Sequence, residues 1–105
     1  MAPPLVVAAQ KPRRSLLFVP GLRPELIAKA DAAGPDLVCV DLEDAVAPDR
    51  KAEARAATFA ALARATPTRA ELLVRINGLP TPAGLEDLLA LLRAPVPPAG
   101  IMVPK

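Results

Sequence analysis

Histidine is absent from this chain of 105 residues, as are tryptophan and tyrosine, and cysteine occurs once. Without histidine the chain lacks the commonest general base and the commonest metal ligand, so its chemistry has to use carboxylates, arginine or lysine. A Ser-His-acid hydrolase built on Ser15 is excluded, because no imidazole is present to activate the hydroxyl. The single thiol, Cys39, cannot form an internal disulfide, and its position in an apolar run predicts a buried thiol.

Long apolar runs and blocks of like charge are also missing. No run approaches the roughly 20 apolar residues that span a membrane, and 13 basic against 11 acidic residues give a net charge of +2. We therefore expect a cytoplasmic protein that binds neither membranes nor nucleic acid. The apolar run at residues 5–9 is short and has its charges after it, unlike a signal peptide, so residues 1–13 are predicted to form a disordered tail.

Short apolar runs alternate with helical patterns along the rest of the chain. Strands are predicted at residues 15–19, 37–41, 72–76 and 101–103, and helices from Pro24, from about Asp49 to 65, and at 85–92. The predicted apolar faces of the last two helices are Ala52, Ala56, Phe59 and Ala63, and Leu85, Leu88, Leu89 and Leu92. Continuously apolar strands are typical of a parallel sheet covered on both faces, so the pattern predicts an α/β fold of order β-α-β-α-β-α-β. No Gly-x-Gly-x-x-Gly or Walker-type lysine loop follows the first strand, which disfavours the usual nucleotide-binding folds.

Three carboxylates, Asp41, Glu43 and Asp44, end the buried second strand within four positions. In parallel α/β folds the working site lies at the carboxyl ends of the strands. Two ionised carboxylates about 7 Å apart on one side of an extended chain need either full solvation or a compensating cation. Arg75 or Lys105, at the ends of the third and fourth strands, could supply that charge, and hydrated Mg²⁺ would suit carboxylate oxygens better. The residues alone leave a solvated surface loop and a metal-facing cluster equally open.

The remaining candidates also have ordinary structural interpretations. Lys29 stands four residues after Glu25, the favourable order for an ion pair on a solvated helix face. Arg23 could do no more than lie near a helix start, and Phe18 is of a type usually found in the core. Arg75 is different, because a charge inside "LLVRI" has to be paired or stand at a strand end.

Four segments, taken in order, resemble the amino-terminal part of the citrate lyase β-subunit and malyl-CoA lyase family. They are "RSLLFVPGLRPELIAKA", "DLVCVDLEDAVAPDRKAEAR", "VRINGLPTPAGLEDL" and "IMVPK", and together they reach from Arg14 to Lys105. The resemblance implies that residues 14–105 form the first part of a (β/α)₈ TIM barrel. It also implies a Mg²⁺-dependent lyase that cleaves or forms the carbon–carbon bond of a 3-hydroxyacyl-CoA, such as a malyl-, citramalyl- or citryl-thioester.

The resemblance assigns roles to individual residues. Arg75 is implied to bind a substrate carboxylate or carbonyl and to steady the developing enolate, which is sound use of a fixed cation. Phe18, Arg23 and Lys29 match positions that contact the CoA thioester. The carboxylates Asp41, Glu43 and Asp44 are implied to lie around the metal and to bond its waters, with Lys105 beside the same site.

The same resemblance sets limits on what these residues can do alone. The direct Mg²⁺ ligands of the family, a Glu and an Asp, are expected beyond residue 105, and a (β/α)₈ barrel needs about 250 residues. The isolated chain is therefore expected to be inactive, and the full-length form to be a homotrimer or a multiple of one. The alternative is a non-catalytic α/β module that binds CoA or a partner chain. The sequence does not choose among cleavage, condensation and thioester hydrolysis.

Overall fold

Four parallel strands alternate with three α-helices in residues 11–64 and 67–105, which are the residues that the computed structural model describes. The elements are β1 (Leu16–Pro20), α1 (Leu26–Ala32), β2 (Leu37–Asp41), α2 (Lys51–Arg64), β3 (Glu71–Arg75), α3 (Pro82–Arg93) and β4 (Gly100–Met102), with a 3₁₀ turn, Pro48–Arg50, before α2. The predicted order is confirmed. The strand bounds differ from the predicted ones by no more than one residue at either end.

The strands lie side by side in the order in which they occur along the chain, β1-β2-β3-β4, and every pair is parallel. Crossovers of the usual right hand between successive neighbours place all the helices on one face of a sheet, and α1 and α2 here contribute to one core with the strands. This singly wound order is that of a (β/α)₈ barrel, whereas doubly wound folds reverse the strand order at a switch point. The predicted fold class, an α/β segment of the kind that begins a (β/α)₈ barrel, is confirmed.

The hydrophobic core lies between the sheet and the helices. Alternate strand residues such as Val19, Val40 and Val74, which pair across the sheet, point towards it. The opposite face is less covered than predicted: all five residues of β2 are buried, but Phe18 in β1 is 50% exposed. Coverage of both faces therefore holds for β2 and not for β1.

The predicted apolar faces of α2 and α3 do not coincide with the buried faces of these helices. In α2 the buried residues are Ala54, Thr58 and Leu62, and Phe59 alone of the predicted stripe packs against the core. In α3 the buried residues are Gly84 and Asp87. Leucines of its predicted face are largely exposed: Leu85, Leu89 and Leu92.

The amino-terminal part of the chain is described from Lys11 onward, so residues 1–10 of the predicted tail lie outside the described residues, as does residue 65 of the second predicted helix. Two arginines of this segment form ion pairs with the sheet end. Arg13 pairs with Glu71 at 3.0 Å, and Arg14 pairs with Asp36 at 3.0 Å. Of the helices that the structure describes, none is long and apolar enough to cross a membrane.

Candidate functional site

Arg75 and Asp41 end neighbouring strands in register, and their side chains form a two-pronged ion pair. Arg75 Nε donates to Asp41 Oδ1 at 2.9 Å, and Arg75 Nη2 donates to Oδ2 at 2.7 Å. The guanidinium also lies over the ring of Phe18, with Cζ 4.7 Å from the ring centroid. Bidentate pairing and a cation–π contact fix the plane and direction of a side chain that is otherwise long and flexible.

Asp41 uses all of its usual acceptor capacity within the protein. Besides the two bonds from Arg75, Oδ1 accepts from the amide of Glu43 at 2.9 Å and Oδ2 from the amide of Ala45 at 3.0 Å. Burial alone would raise the pKa of Asp41, but the hydrogen bonds from Arg75 and from the two amides lower that pKa below its ordinary value. The hydrogen bond to Asp41 in turn raises the pKa of Arg75, so each partner favours the charged form of the other.

The loop between β2 and α2 is held from the other side by donors to its carbonyls. Lys51 Nζ donates to the carbonyl of Glu43 at 2.6 Å and to that of Leu42 at 3.2 Å. The amide of Leu42 donates to the carbonyl of Arg75 at 2.9 Å, which ties the loop to the end of β3. The carboxylates on this loop are therefore carried on a fixed backbone.

A cleft of about 450 Å³ opens in front of Arg75. Its walls are Glu43, Asp44, Arg75, Met102, Val103, Pro104 and Lys105. Glu43 Oε1 lies 3.6 Å from Arg75 Nε, and Asp44 Oδ2 lies 4.0 Å from Arg75 Nη2. The Glu43 and Asp44 side chains are 31% and 80% exposed, so their oxygens remain available to a ligand.

Cys39 lies two residues before Asp41, on the same face of β2. It is fully buried, as its apolar run predicts. Burial, together with the nearby charge of Asp41, raises the pKa of the Cys39 thiol to about 11. The thiol is therefore neutral and inert at neutral pH.

Only some of the carboxylates at this edge of the sheet fit a hydrated Mg²⁺ ion. Over residues 11–64 and 67–105, no group of three or more His, Cys, Asp or Glu side chains is placed to hold a metal ion. Asp41 does not fit the predicted place around the metal, because its four hydrogen bonds leave no oxygen free for a metal-bound water. Glu43 and Asp44 do fit, since each offers carboxylate oxygens to waters on the ion.

The predicted CoA contacts are only partly brought together. Phe18 joins the Arg75 cluster, whereas Arg23 and Lys29 make no contact with that cluster in the part of the chain that the structure describes. Arg23 Nε pairs with Glu25 at 2.6 Å, and both side chains are more than half exposed. Helical spacing predicts that Glu25 pairs with Lys29, but in the structure Glu25 pairs with Arg23. Lys29 is exposed on α1.

Comparison with known proteins places these residues in a family. The HpcH/HpaI aldolase/citrate lyase family matches residues 14–105. The chain belongs to this family. The resemblance drawn from the four motifs is therefore confirmed.

Individual members of the HpcH/HpaI family match over nearly the whole chain. The L-malyl-CoA/beta-methylmalyl-CoA lyase of Cereibacter sphaeroides is 45% identical over 100 residues, which are 90% of this chain and 30% of the relative. The citrate lyase beta subunit of M. tuberculosis, solved with oxaloacetate and magnesium, superposes with a TM-score of 0.69 at 40% identity, over 89% of this chain and 40% of that one. CitE of Mycobacterium tuberculosis, solved with magnesium, acetoacetate and coenzyme A, gives a TM-score of 0.67 at 39% identity, over 89% and 33%. The chain spans about a third of the length of the relatives it matches.

Two features of this family member's site go beyond the sequence prediction, which named Arg75 as one possible source of charge for the three carboxylates but did not assign it to Asp41. Asp41 is the clamp for Arg75, and Lys51 anchors the carbonyls of the β2–α2 loop. The signal for the first was present, because Asp41 and Arg75 end adjacent parallel strands of equal length. Nothing in the sequence marked Lys51, whose position on α2 resembles that of any solvated helix lysine.

Proposed function

We propose that this chain supplies the Arg75 half of the active site of a Mg²⁺-dependent carbon–carbon lyase that acts on a 3-hydroxyacyl-CoA, such as a malyl-, citramalyl- or citryl-thioester. The observation that carries the proposal is the Arg75 guanidinium, fixed by Asp41 and Phe18 and opening on a cleft with two available carboxylates. The family, and the lyase names of its members, support the reaction class. The oxaloacetate, magnesium and coenzyme A in the related structures support the ligand class.

The reaction requires a fixed cation beside the substrate oxygens at the reacting carbons. Cleavage breaks the bond between carbons 2 and 3: the 3-hydroxyl loses its proton and becomes a carbonyl, while the electron pair passes to the thioester as an enolate that then takes up a proton. Condensation is the reverse. Arg75 binds the carboxylate on carbon 3 or the carbonyl oxygen, and its positive charge steadies the enolate as it develops. A donor already held in place is effective because it needs no reorganisation during the step.

The other residues bind and orient. Bound Mg²⁺ would polarise the keto or carboxylate end of the substrate as a Lewis acid, and Glu43 and Asp44 would accept hydrogen bonds from its waters. Asp41 positions Arg75. Phe18, Arg23 and Lys29 contact the CoA thioester, the two cations suiting its phosphates, and Lys105 adds positive charge to the cleft wall.

We propose that turnover requires further strands of the barrel in addition to the four in this chain. The described part of the chain offers no group of three metal ligands, and the relatives are about three times as long. We therefore propose that the 105-residue chain alone is inactive, and that the full-length form is cytoplasmic and a homotrimer or a multiple of one.

A chimera tests the proposal. Residues 14–105 replace the matching part of the C. sphaeroides lyase, and cleavage of malyl-CoA to glyoxylate and acetyl-CoA is followed with and without Mg²⁺. Arg75→Ala is expected to lower kcat/KM by about 10² to 10³-fold, the loss typical of one removed donor to a developing oxyanion. Arg50→Ala is the control, since Arg50 forms a surface pair with Glu53. Turnover within a few-fold of the parent for Arg75→Ala would remove its catalytic role.

A non-catalytic CoA-binding module is the second candidate. The exposed cations Arg23 and Lys29, which lie outside the Arg75 cluster, favour it. Calorimetry of the 105-residue chain with CoA in the presence of EDTA separates the two functions. Binding that is independent of metal and weakened by Arg23→Ala supports the module, whereas no binding to the isolated chain counts against it.

A further inference from the structure

Asp87 is a fully buried carboxylate on the helix side of the sheet, in α3 and away from the Arg75 cleft. Its Oδ1 accepts from Arg55 Nε of α2 at 2.7 Å. Its Oδ2 accepts from the amide of Asn77 at 2.8 Å and from the side-chain nitrogen of Asn77 at 2.7 Å. One side chain thus joins α2, α3 and the segment that follows β3.

Asn77 extends this network to the β2–α2 loop. It is 5% exposed, and its side-chain nitrogen also donates to the carbonyl of Leu42 at 2.9 Å. Leu42 lies between Asp41, which clamps Arg75, and Glu43, which faces the cleft. Asn77 itself stands two residues after Arg75. The network therefore reaches both strand ends that carry the candidate site.

Burying a charged network costs desolvation free energy, and what it offers over an apolar core is fixed geometry. A buried carboxylate loses its hydration and has to be compensated by pairing and hydrogen bonds. Here compensation comes from Arg55, whose side chain is 12% exposed, and from Asn77. Apolar side chains of similar volume commonly stabilise a core as well or better, but they do not fix direction as charged hydrogen bonds do.

We propose that Asn77 and Asp87, with Arg55, are positioning residues that hold the β2–α2 loop and Arg75 in their geometry from behind the sheet. Asp87 orients the Asn77 amide, and Asn77 holds the carbonyl of Leu42. That carbonyl in turn sets where the amides of Glu43 and Ala45 meet Asp41. The role in catalysis rests on the proposed function, whereas the positioning itself does not.

Two variants and one matched control test the positioning in the 105-residue chain. Asp87→Asn removes the charge that pairs with Arg55. Asn77→Ser removes the nearer of the two side-chain donors to the Leu42 carbonyl, leaving Lys51 at 3.2 Å, while the main-chain amide bond to Asp87 remains. This variant is therefore expected to fold even where Asp87→Asn does not. Glu86→Gln is the control, because Glu86 also pairs with Arg55, at 3.0 Å, but is 63% exposed.

Hydrogen exchange followed by NMR measures how well the amides of the β2–α2 loop are protected. The amides of Glu43 and Ala45 and the Nε–H of Arg75 are expected to exchange about tenfold faster in both variants, with β2 amides unchanged and Glu86→Gln like the parent. An increase of less than twofold at the loop overturns the proposal. So does an equal increase throughout β2, which indicates global destabilisation.

The chimeric lyase gives the catalytic readout. Asp87→Asn and Asn77→Ser are expected to lower kcat by about tenfold with KM changed less, since small misplacements of a catalytic group are expensive, and Glu86→Gln is expected to match the parent. A kcat equal to the parent's in both variants overturns the catalytic part. An inactive parent chimera contradicts the proposed function instead, and hydrogen exchange then decides the positioning on its own.

Discussion

Arg75 combines two properties that seldom occur together in one side chain, a fixed direction and an accessible face. Asp41 takes two of its N–H groups, Phe18 covers one side of the guanidinium, and the side chain is still 21% exposed. Asp41 is 3% exposed and is spent entirely on this clamp and on two loop amides. The carboxylate at the strand end thus fixes Arg75, and the two carboxylates that follow it line the cleft.

The clamp makes a prediction about acid stability. Since the folded state lowers the pKa of Asp41, the ionised carboxylate stabilises the fold above the ordinary value of 3.8, and that contribution is lost as the pH falls through the lowered pKa. Asp41→Asn is expected to cost about 3 kcal/mol at pH 7, as for one partner of a buried pair. Urea unfolding of parent and variant from pH 7 to pH 2 checks this. The difference in unfolding free energy should shrink below pH 3.8, and a difference that stays constant would contradict the role given to Asp41.

At the scale of elements, α3 begins so close to the turn after β3 that only glycine fits at position 84. A Cβ there would overlap the backbone of Gly78 and Asn77, whereas a Cβ on Gly78 would meet its nearest neighbour, Thr81, at 3.8 Å. Thr81 caps the helix, accepting from the amide of Gly84 at 3.0 Å.

This close approach reverses the usual sign of a helix substitution. Alanine in place of a helical glycine normally stabilises by up to about 1 kcal/mol. Gly84→Ala is instead expected to lower the unfolding free energy by about 2 kcal/mol or more, the cost of overpacking. Gly78→Ala is the matched control, with a change below about 1 kcal/mol, and thermal unfolding followed by circular dichroism measures both. A Gly84→Ala protein as stable as the parent would show that α3 can move away from the turn.

Local chemistry explains which elements the sequence could predict. Both ends of β2 were predicted correctly, because its apolar run ends at a charged residue. The end of α1 is marked by Gly34-Pro35, where Gly34 adopts a φ of +88°. The helix faces could not be predicted in this way. Alanines occur on every side of α2, so no hydrophobic period stands out in its sequence. Its buried face includes Thr58, which donates to the carbonyl of Gly21 at 3.3 Å and is a residue type that a hydrophobic pattern does not mark.

In the candidate site, too, some features follow from the local sequence and others depend on tertiary contacts. The need of Arg75 for a partner, and the meeting of carboxylates and cations at one edge of the sheet, follow from a parallel fold. The use of Asp41 as a clamp depends on strand register, and the Asn77–Asp87 network depends on how α3 packs against α2 and the strand ends. Such tertiary contacts leave no local pattern, since Asp87 sits in "LEDLL" like any polar helix residue.

At the scale of the whole molecule, large apolar side chains remain exposed on α3 and at the β4 edge of the sheet. Leu85, Leu89 and Leu92 follow one another at helical spacing on α3 and are 54%, 46% and 74% exposed. Ile101 and Val103, at and beyond the edge strand β4, are 40% and 55% exposed. Exposed apolar side chains and an open edge strand both favour association, the first by burying apolar surface and the second by pairing backbone groups.

The leucine face of α3, Leu85, Leu89 and Leu92, is therefore expected to drive self-association of the 105-residue chain. Replacing these three leucines by glutamine removes the apolar stripe while helix propensity is largely retained, and it should shift the chain towards monomer. Sedimentation velocity over a range of protein concentrations measures this, with the three exposed alanines Ala52, Ala56 and Ala63 of α2 changed to glutamine as the control. A parent chain that stays monomeric at every concentration would show that the stripe is too small to associate. Association unchanged by the leucine substitutions would instead indicate the edge strands of the sheet, β1 and β4.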